Sequence, residues 1–218
     1  MRRSCLIGLC LVWAGSAFAQ TFLPHPKQWN VGPNPCAIVA PDLNGDGLPE
    51  IVTADRGTLR DPAEEMPANP ELSFLVAMKP LQYAAQPPLR ADFGPWCIAV
   101  ANMDALKAPD LIVGSFHAVG GRPISLFLNL GENRFKEHHF AVPVESFNYK
   151  RHRDIDDRPI FTVPGITALT VADFNQDGYR DLVATGWSSD VLLFFPGDVR
   201  LCLGEPKIIP AEGAPSDV

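Results

Sequence analysis

Cysteine is scarce, long apolar runs are nearly missing, and positive charge is in the minority. Five of the 218 residues are cysteine. Cys5 and Cys10 fall in the first stretch, which leaves Cys36, Cys97 and Cys202. Three is odd, and too few for a scaffold built on disulfides. One bridge with a free thiol is compatible with that number, and the sequence does not choose the pair. Lys and Arg number 18 against 25 Asp and Glu, which argues against nucleic acid or an anionic membrane surface as the main partner. Past the N-terminus nothing approaches the roughly 20 apolar residues that span a bilayer.

Catalytic signatures are lacking as well. His25, His117, His138, His139 and His152 are scattered, and none belongs to a HExxH or comparable zinc motif. His138 and His139 are neighbours on a predicted strand and so point to opposite faces. No GxSxG elbow or phosphate loop occurs. Ser188–Asp190 has no histidine nearby in sequence and reads as a turn.

Abundance lies in proline and glycine, 22 and 17 residues, too many for a helical bundle of this length. They predict many short elements joined by turns. The chain opens with Arg2 and Arg3, an apolar run from Cys5 to Trp13, and the small-x-small site Ala17–Ala19. This pattern predicts a secretory signal peptide over 1–19, cut after Ala19 and leading to a secreted or periplasmic location. A retained N-terminal anchor is the alternative. Cys10 follows Leu9 rather than a small residue, which argues against a lipoprotein anchor.

The remainder, 20–218, repeats itself. Cys36–Asp55, Cys97–Phe116 and Thr167–Trp187 each hold an apolar strand, a nine-residue polar loop and a second strand that begins after an acid: Glu50, Asp110 or Asp181. Third strands follow at Leu72–Met78, Ile124–Asn129 and Val191–Phe195, and a fourth extended segment is clearest over Arg134–Val142. Short strands bounded by Gly, Pro, Asn and Asp are antiparallel β signals. Four per unit at this period predicts an all-β protein of about three β-propeller blades, over approximately 31–92, 93–163 and 164–210. A β-sandwich is the competing architecture, and it would not need the loop repeated in register.

The loop Asp42–Glu50, DLNGDGLPE, places oxygen-bearing side chains at positions 1, 3, 5 and 9: Asp42, Asn44, Asp46 and Glu50. Asp173–Asp181, DFNQDGYRD, does the same with Asp173, Asn175, Asp177 and Asp181. Calcium takes six to eight oxygens, and the carbonyls of Leu48 and Tyr179 would supply position 7. Gly47 and Gly178 permit the chain to wrap an ion. Metal-free turns held by side-chain-to-backbone bonds are the alternative. An EF-hand fits less well, since a strand follows and the last acid stands at position 9. The middle loop, 102–110, carries Leu106 at position 5 and Lys107 in place of the glycine. It is expected to be empty.

These loops resemble the FG-GAP/VCBS repeat family, the calcium-loop propeller blades of integrin α subunits and many secreted bacterial proteins. Phe93–Gly94 looks like the FG of that name, and Gly114–Ser115 stands where GA is expected. The likeness runs over roughly 31–209. It implies calcium at two sites, held by Asp42, Asn44, Asp46, the Leu48 carbonyl and Glu50, and by Asp173, Asn175, Asp177, the Tyr179 carbonyl and Asp181. Glu50 stands where the family has Asp.

Three blades do not close a propeller of about 4–8. Truncation from a longer protein is the leading expectation; closure with further blades or other copies is the other. Antiparallel connectivity puts the DxNxDG loops on one face and both insertions, 55–70 and 143–164, on the opposite one. Long loops on a rigid sheet collect binding residues. Tyr149, Lys150, Arg151, His152, Arg153 and Arg158 suit an acidic sugar or an acidic protein surface; Phe116 and Trp187, just after the second strands, are candidates to mark the same face, and core packing explains them equally well. A solvated charged loop is the bland alternative. The expected function is a calcium-stabilised, non-catalytic binding or adhesion module for protein or glycan. The alternative is a fragment of a secreted propeller enzyme, lyase-like, acting on polysaccharide.

Overall fold

A computed structural model of the chain describes residues 28–57, 71–104, 106–118, 121–143, 164–198, 203–213 and 215–218. The segment 1–19, Cys202, and the cationic cluster between Tyr149 and Arg158 lie outside these residues. The described part is all β-strand with one short 3-10 turn, Trp187–Ser189. Among the described residues no helix is long and apolar enough to cross a membrane.

Three antiparallel sheets follow one another along the chain. The first holds β1 (Pro35–Val39), β2 (Ile51–Asp55), β3 (Glu71–Lys79) and β4 (Gln82–Ala85) in that order, with a two-residue strand β5 (Leu89–Arg90) paired to β3. The second is β6 (Pro95–Ala101), β7 (Asp110–Ser115), β8 (Ile124–Asn129) and β9 (Phe135–Phe140). The third is β10 (Ile166–Ala172), β11 (Asp181–Gly186), β12 (Val191–Phe195) and β13 (Lys207–Pro210). Sequential order, antiparallel pairing and contact between successive first strands (β1 with β6, β6 with β10) make these propeller blades, three in number.

Two clusters of apolar side chains hold the blades face to face. Because strand side chains alternate, β7 and β8 serve both neighbours. Leu111, Val113 and Phe127 pack with Val52, Ala54, Leu72, Phe74 and Val76 of the first blade. Ile112, Ile124, Leu126 and Leu128 pack with Leu182, Ala184, Leu193 and Phe195 of the third. Burying side chains of this size stabilises by about 1.5–3 kcal/mol each. Gly114 sits at the closest approach in the second cluster: a Cβ there would lie 2.4 Å from Ile166 Cγ2 and 2.7 Å from Cys97 Sγ. Cys36 and Cys97 are both free thiols. Burial pushes Cys97 up to about 12, so it is an inert core thiol.

Each first strand carries a register shift near its start, between Pro35 and Ala37, Pro95 and Cys97, and Ile166 and Leu169. Such bulges re-aim one side chain. In the second blade that residue is Trp96.

Candidate ion loops and the opposite face

The two DxNxDG loops are built alike. Asp42 Oδ1 accepts the N–H of Gly45 at 2.7 Å and Oδ2 that of Gly47 at 2.8 Å; Asn44 Oδ1 accepts Asp46 N at 2.9 Å, and Asp46 Oδ1 accepts Leu48 N at 2.8 Å. In the other loop Asp173 accepts Asp177 N and Gly178 N, Asn175 Oδ1 accepts Asp177 N, and Asp177 Oδ1 accepts Tyr179 N. Gly47 and Gly178 adopt φ of 85° and 92°, the left-handed conformation the pattern calls for.

The position-9 acid has a second task that the spacing does not reveal. Asp181 is fully buried; its Oδ2 accepts Phe174 N at 2.9 Å and its Oδ1 accepts Gly197 N at 2.8 Å. Asp110 is also fully buried and accepts Met103 N at 2.7 Å and Asn129 N at 2.8 Å. Glu50, equally buried, takes Leu43 N at 2.7 Å and is hydrogen-bonded by the backbone of Ala77. All three therefore tie the loop's second residue to the end of the blade's third strand. The middle loop keeps this staple although it lacks the Asp at position 5 and the glycine after it. Asn129 then clips one blade to the previous one, its Nδ2 donating to the Leu43 carbonyl at 2.7 Å.

The donor set in the two loops is all oxygen, the chemistry calcium takes. As folded here these oxygens lie on backbone amides, and Asn44 Nδ2 donates to Asp46 Oδ2 at 3.1 Å and Glu50 Oε1 at 3.2 Å. Among the described residues no three His, Cys, Asp or Glu groups converge closely enough to hold a metal. Burial pushes the Glu50 carboxyl up, and the charges of Asp46 and Asp42 add to the effect. The middle loop retains one such bond, Asp104 Oδ1 accepting Leu106 N at 2.7 Å.

On the opposite face, the residues that follow the second strands come together. Arg56 follows β2, Phe116 follows β7 and Trp187 follows β11. Phe116 stacks at a tilt on Trp96 at 5.0 Å and on Trp187 at 5.7 Å, and meets His117 edge-on at 5.0 Å. The Arg56 guanidinium carbon lies 4.8 Å from the centre of the Trp96 ring. Sequence reasoning singled out Phe116 and Trp187 but missed Arg56 and Trp96. The clue lay in Trp96 and Cys36 each following a proline at the start of a repeat.

One set of side chains imitates a hydrolytic relay. Ser125 Oγ lies 2.9 Å from His139 Nδ1, and His139 Nε2 lies 3.8 Å from Glu137 Oε2. Ser125 is fully buried between strands, so no substrate carbonyl reaches its oxygen. It is a cross-strand pair of β8 and β9.

No family model matches the chain, and no curated protein matches it. A crystal structure of BBS1N in complex with ARL6DN, soaked with mercury, is similar, with a TM-score of 0.50 at 18% identity over 85% of this chain and 46% of that one. The lead-soaked crystal of the same complex gives 0.48 at 16% identity over 86% and 46%. At such identities the likeness concerns the fold, an all-β array of propeller blades. The chain spans about half the length of the solved chains it resembles.

Proposed function

We propose that this chain is a secreted, calcium-stabilised propeller module of the FG-GAP/VCBS kind that binds a protein partner without catalysis. The observation that carries the binding reading is the convergence of Arg56, Trp96, Phe116, His117 and Trp187 on the face opposite the DxNxDG loops. Arg and Trp dominate protein-binding hot spots, and a rigid sheet holds these side chains at fixed spacing. That BBS1N is seen in complex with ARL6DN gives a precedent for a protein partner on blades of this kind.

Calcium belongs to the other face in this reading. Asp42, Asn44, Asp46, the Leu48 carbonyl and Glu50 would hold one ion, and Asp173, Asn175, Asp177, the Tyr179 carbonyl and Asp181 another. The crowding of Asp42 and Asp46 around buried Glu50 is repulsion that a cation would relieve. The ion's part is structural, since ligands at both ends of the loop stabilise the blade by mass action. The loop 102–110 takes none.

Photo-crosslinking tests the binding face. A benzoylphenylalanine at Arg122, in the loop between β7 and β8, is expected to trap one discrete protein from the producing cell's surface fraction. The same group at Gln176, on the ion-loop face, is expected to trap none. Equal trapping at both positions, or capture of glycan alone, would sink the protein-binding reading.

A further inference from the structure

Among the described residues Arg56 makes no ion pair. Its Nε is shielded from solvent and makes no hydrogen bond. A buried donor left unmade costs about 1–3 kcal/mol. Shielded as it is, this donor is out of a ligand's reach; the residue as a whole is half-buried, which leaves the Nη end of the fork as the part a ligand can meet. The adjacent acid is engaged elsewhere. Asp55 is itself buried, with Oδ1 accepting Thr53 Oγ1 at 2.8 Å and Oδ2 accepting Gly32 N, Ser73 N and Ser73 Oγ. All of these donors are neutral and lie on the first blade; they fix the carboxylate's orientation, and its charge stays next to Arg56 without pairing to it.

Apart from Asp55, the described groups around Arg56 are aromatic or neutral. Trp96 takes the cation against its ring. His117 is held below the ordinary histidine range, by burial first and then by the Arg56 charge itself. Cys36 lies beside them, its thiol raised by burial and so protonated at neutral pH. The position is rigid: Arg56 N donates to the Asn34 carbonyl at 3.2 Å, Gly57 N to that of Pro33 at 3.0 Å, and Phe116 N to that of Gly94 at 2.8 Å. Gly94 itself must be glycine, at φ 67° with His117 Cδ2 only 2.9 Å from where a Cβ would stand.

We propose that Arg56, backed by Trp96, is the anchor subsite for a carboxylate side chain of the protein partner. The inference rests on the protein-binding reading above and names the chemistry of its central contact. Stacking and hydrogen bonding use different parts of a guanidinium: the ring takes a face, and a carboxylate takes the N–H edge in its plane. Trp96, meeting the cation through its ring, thus leaves the N–H edge to the ligand. Half-buried Trp187, backed by buried Phe116, extends the apolar ground beside it, where exclusion of water strengthens the ion pair. The segment that reaches this site is acidic with an apolar residue close by.

The test uses hexaglutamate peptide, titrated into the 15N-labelled full chain, with hexaglutamine, hexagalacturonate and inorganic phosphate as separate arms. The readout is the Arg56 Nε–H resonance, visible because the atom is shielded and assigned by its loss in Arg56→Met. Hexaglutamate is expected to shift that resonance saturably and hexaglutamine to leave it alone. Arg56→Met is expected to weaken hexaglutamate binding about tenfold or more, the worth of one charge-assisted pair. Arg56→Lys should recover only part of it, because the charge returns without the fork. An unmoved Arg56 resonance, an equal response to hexaglutamine, or tighter binding of hexagalacturonate or phosphate would overturn the proposal. Should Arg56→Met fail to fold, loss of the Nε–H resonance in Arg56→Lys assigns it, and the wild-type titration decides the matter. Crosslinking at Arg122 that persists beside an unmoved Arg56 would remove this anchor and leave the binding module standing.

Discussion

The carboxylate of Asp181 accepts the backbone N–H of Gly197 at 2.8 Å, so the last residue of a DxNxDG loop is joined to the chain just past the third strand of its blade. Asp110 does the same with Asn129 in a loop that has lost the ion pattern. A residue type that looks like a metal ligand in two repeats is therefore a backbone fastener in all three.

Replacing the fastener should be costly whether or not calcium is present. Asp110→Ala leaves the N–H groups of Met103 and Asn129 without their acceptor. The expected loss is about 2–6 kcal/mol, at roughly 1–3 kcal/mol for each of the two donors. Urea unfolding in calcium and in chelator should give the same difference; a cost confined to calcium would make Asp110 a ligand instead.

Asp177→Ala should behave in the opposite way. Its Oδ1 accepts Tyr179 N and its Oδ2 accepts Asn175 Nδ2, both in an exposed part of the loop where water replaces the carboxylate. The melting temperature should fall in calcium and change little in chelator. Equal melting shifts in both conditions would return the loop to a metal-free turn.

The buried Asp110 carboxyl stands above its ordinary value of 3.8, chiefly through burial. Between that value and its folded pKa the native state holds the proton more tightly than the unfolded chain does. Stability from this group therefore grows as pH falls through the folded pKa toward 3.8, and is lost as pH rises again. Wild type should gain on Asp110→Asn as pH is lowered from neutrality. His117 and His138, both held below 6.5, pull the other way but act in both proteins and cancel. A difference in urea midpoint that does not vary with pH would refute the burial argument.

Gly114→Ala probes the joint between the second and third blades. The added methyl meets Ile166 and Cys97 at distances that force a shift. Overpacking of this kind costs about 1–3 kcal/mol. A variant as stable as wild type by thermal melting would mean that the joint is looser than these distances say.

Much of the strand pattern was legible because it is local. Ile124–Asn129 and Val191–Phe195 fall where the alternation and turn residues put them, and the acids Asp110 and Asp181 do open the second strands of their blades. Left-handed Gly47 and Gly178 were legible for the same reason. The fastener was not, because spacing tells which residues carry oxygen but not which amides reach them across a blade. Nor was the Arg56–Trp96 pair, whose members belong to different repeats and meet only once the blades are packed. The short strand Leu89–Arg90 pairs with the far end of β3 and has no periodicity of its own to announce it.

The fastener also says how such a repeat can change over generations. Where an ion is the sole support of a loop, each ligand lost costs the fold, and the sequence is trapped. Here the blade is pinned by one acid and two amides, so the other loop positions are free to differ, and the second blade keeps its shape with Leu106 and Lys107 in the places of an acid and a glycine. On the calcium reading proposed above, mineral dependence is then a setting that each blade carries alone.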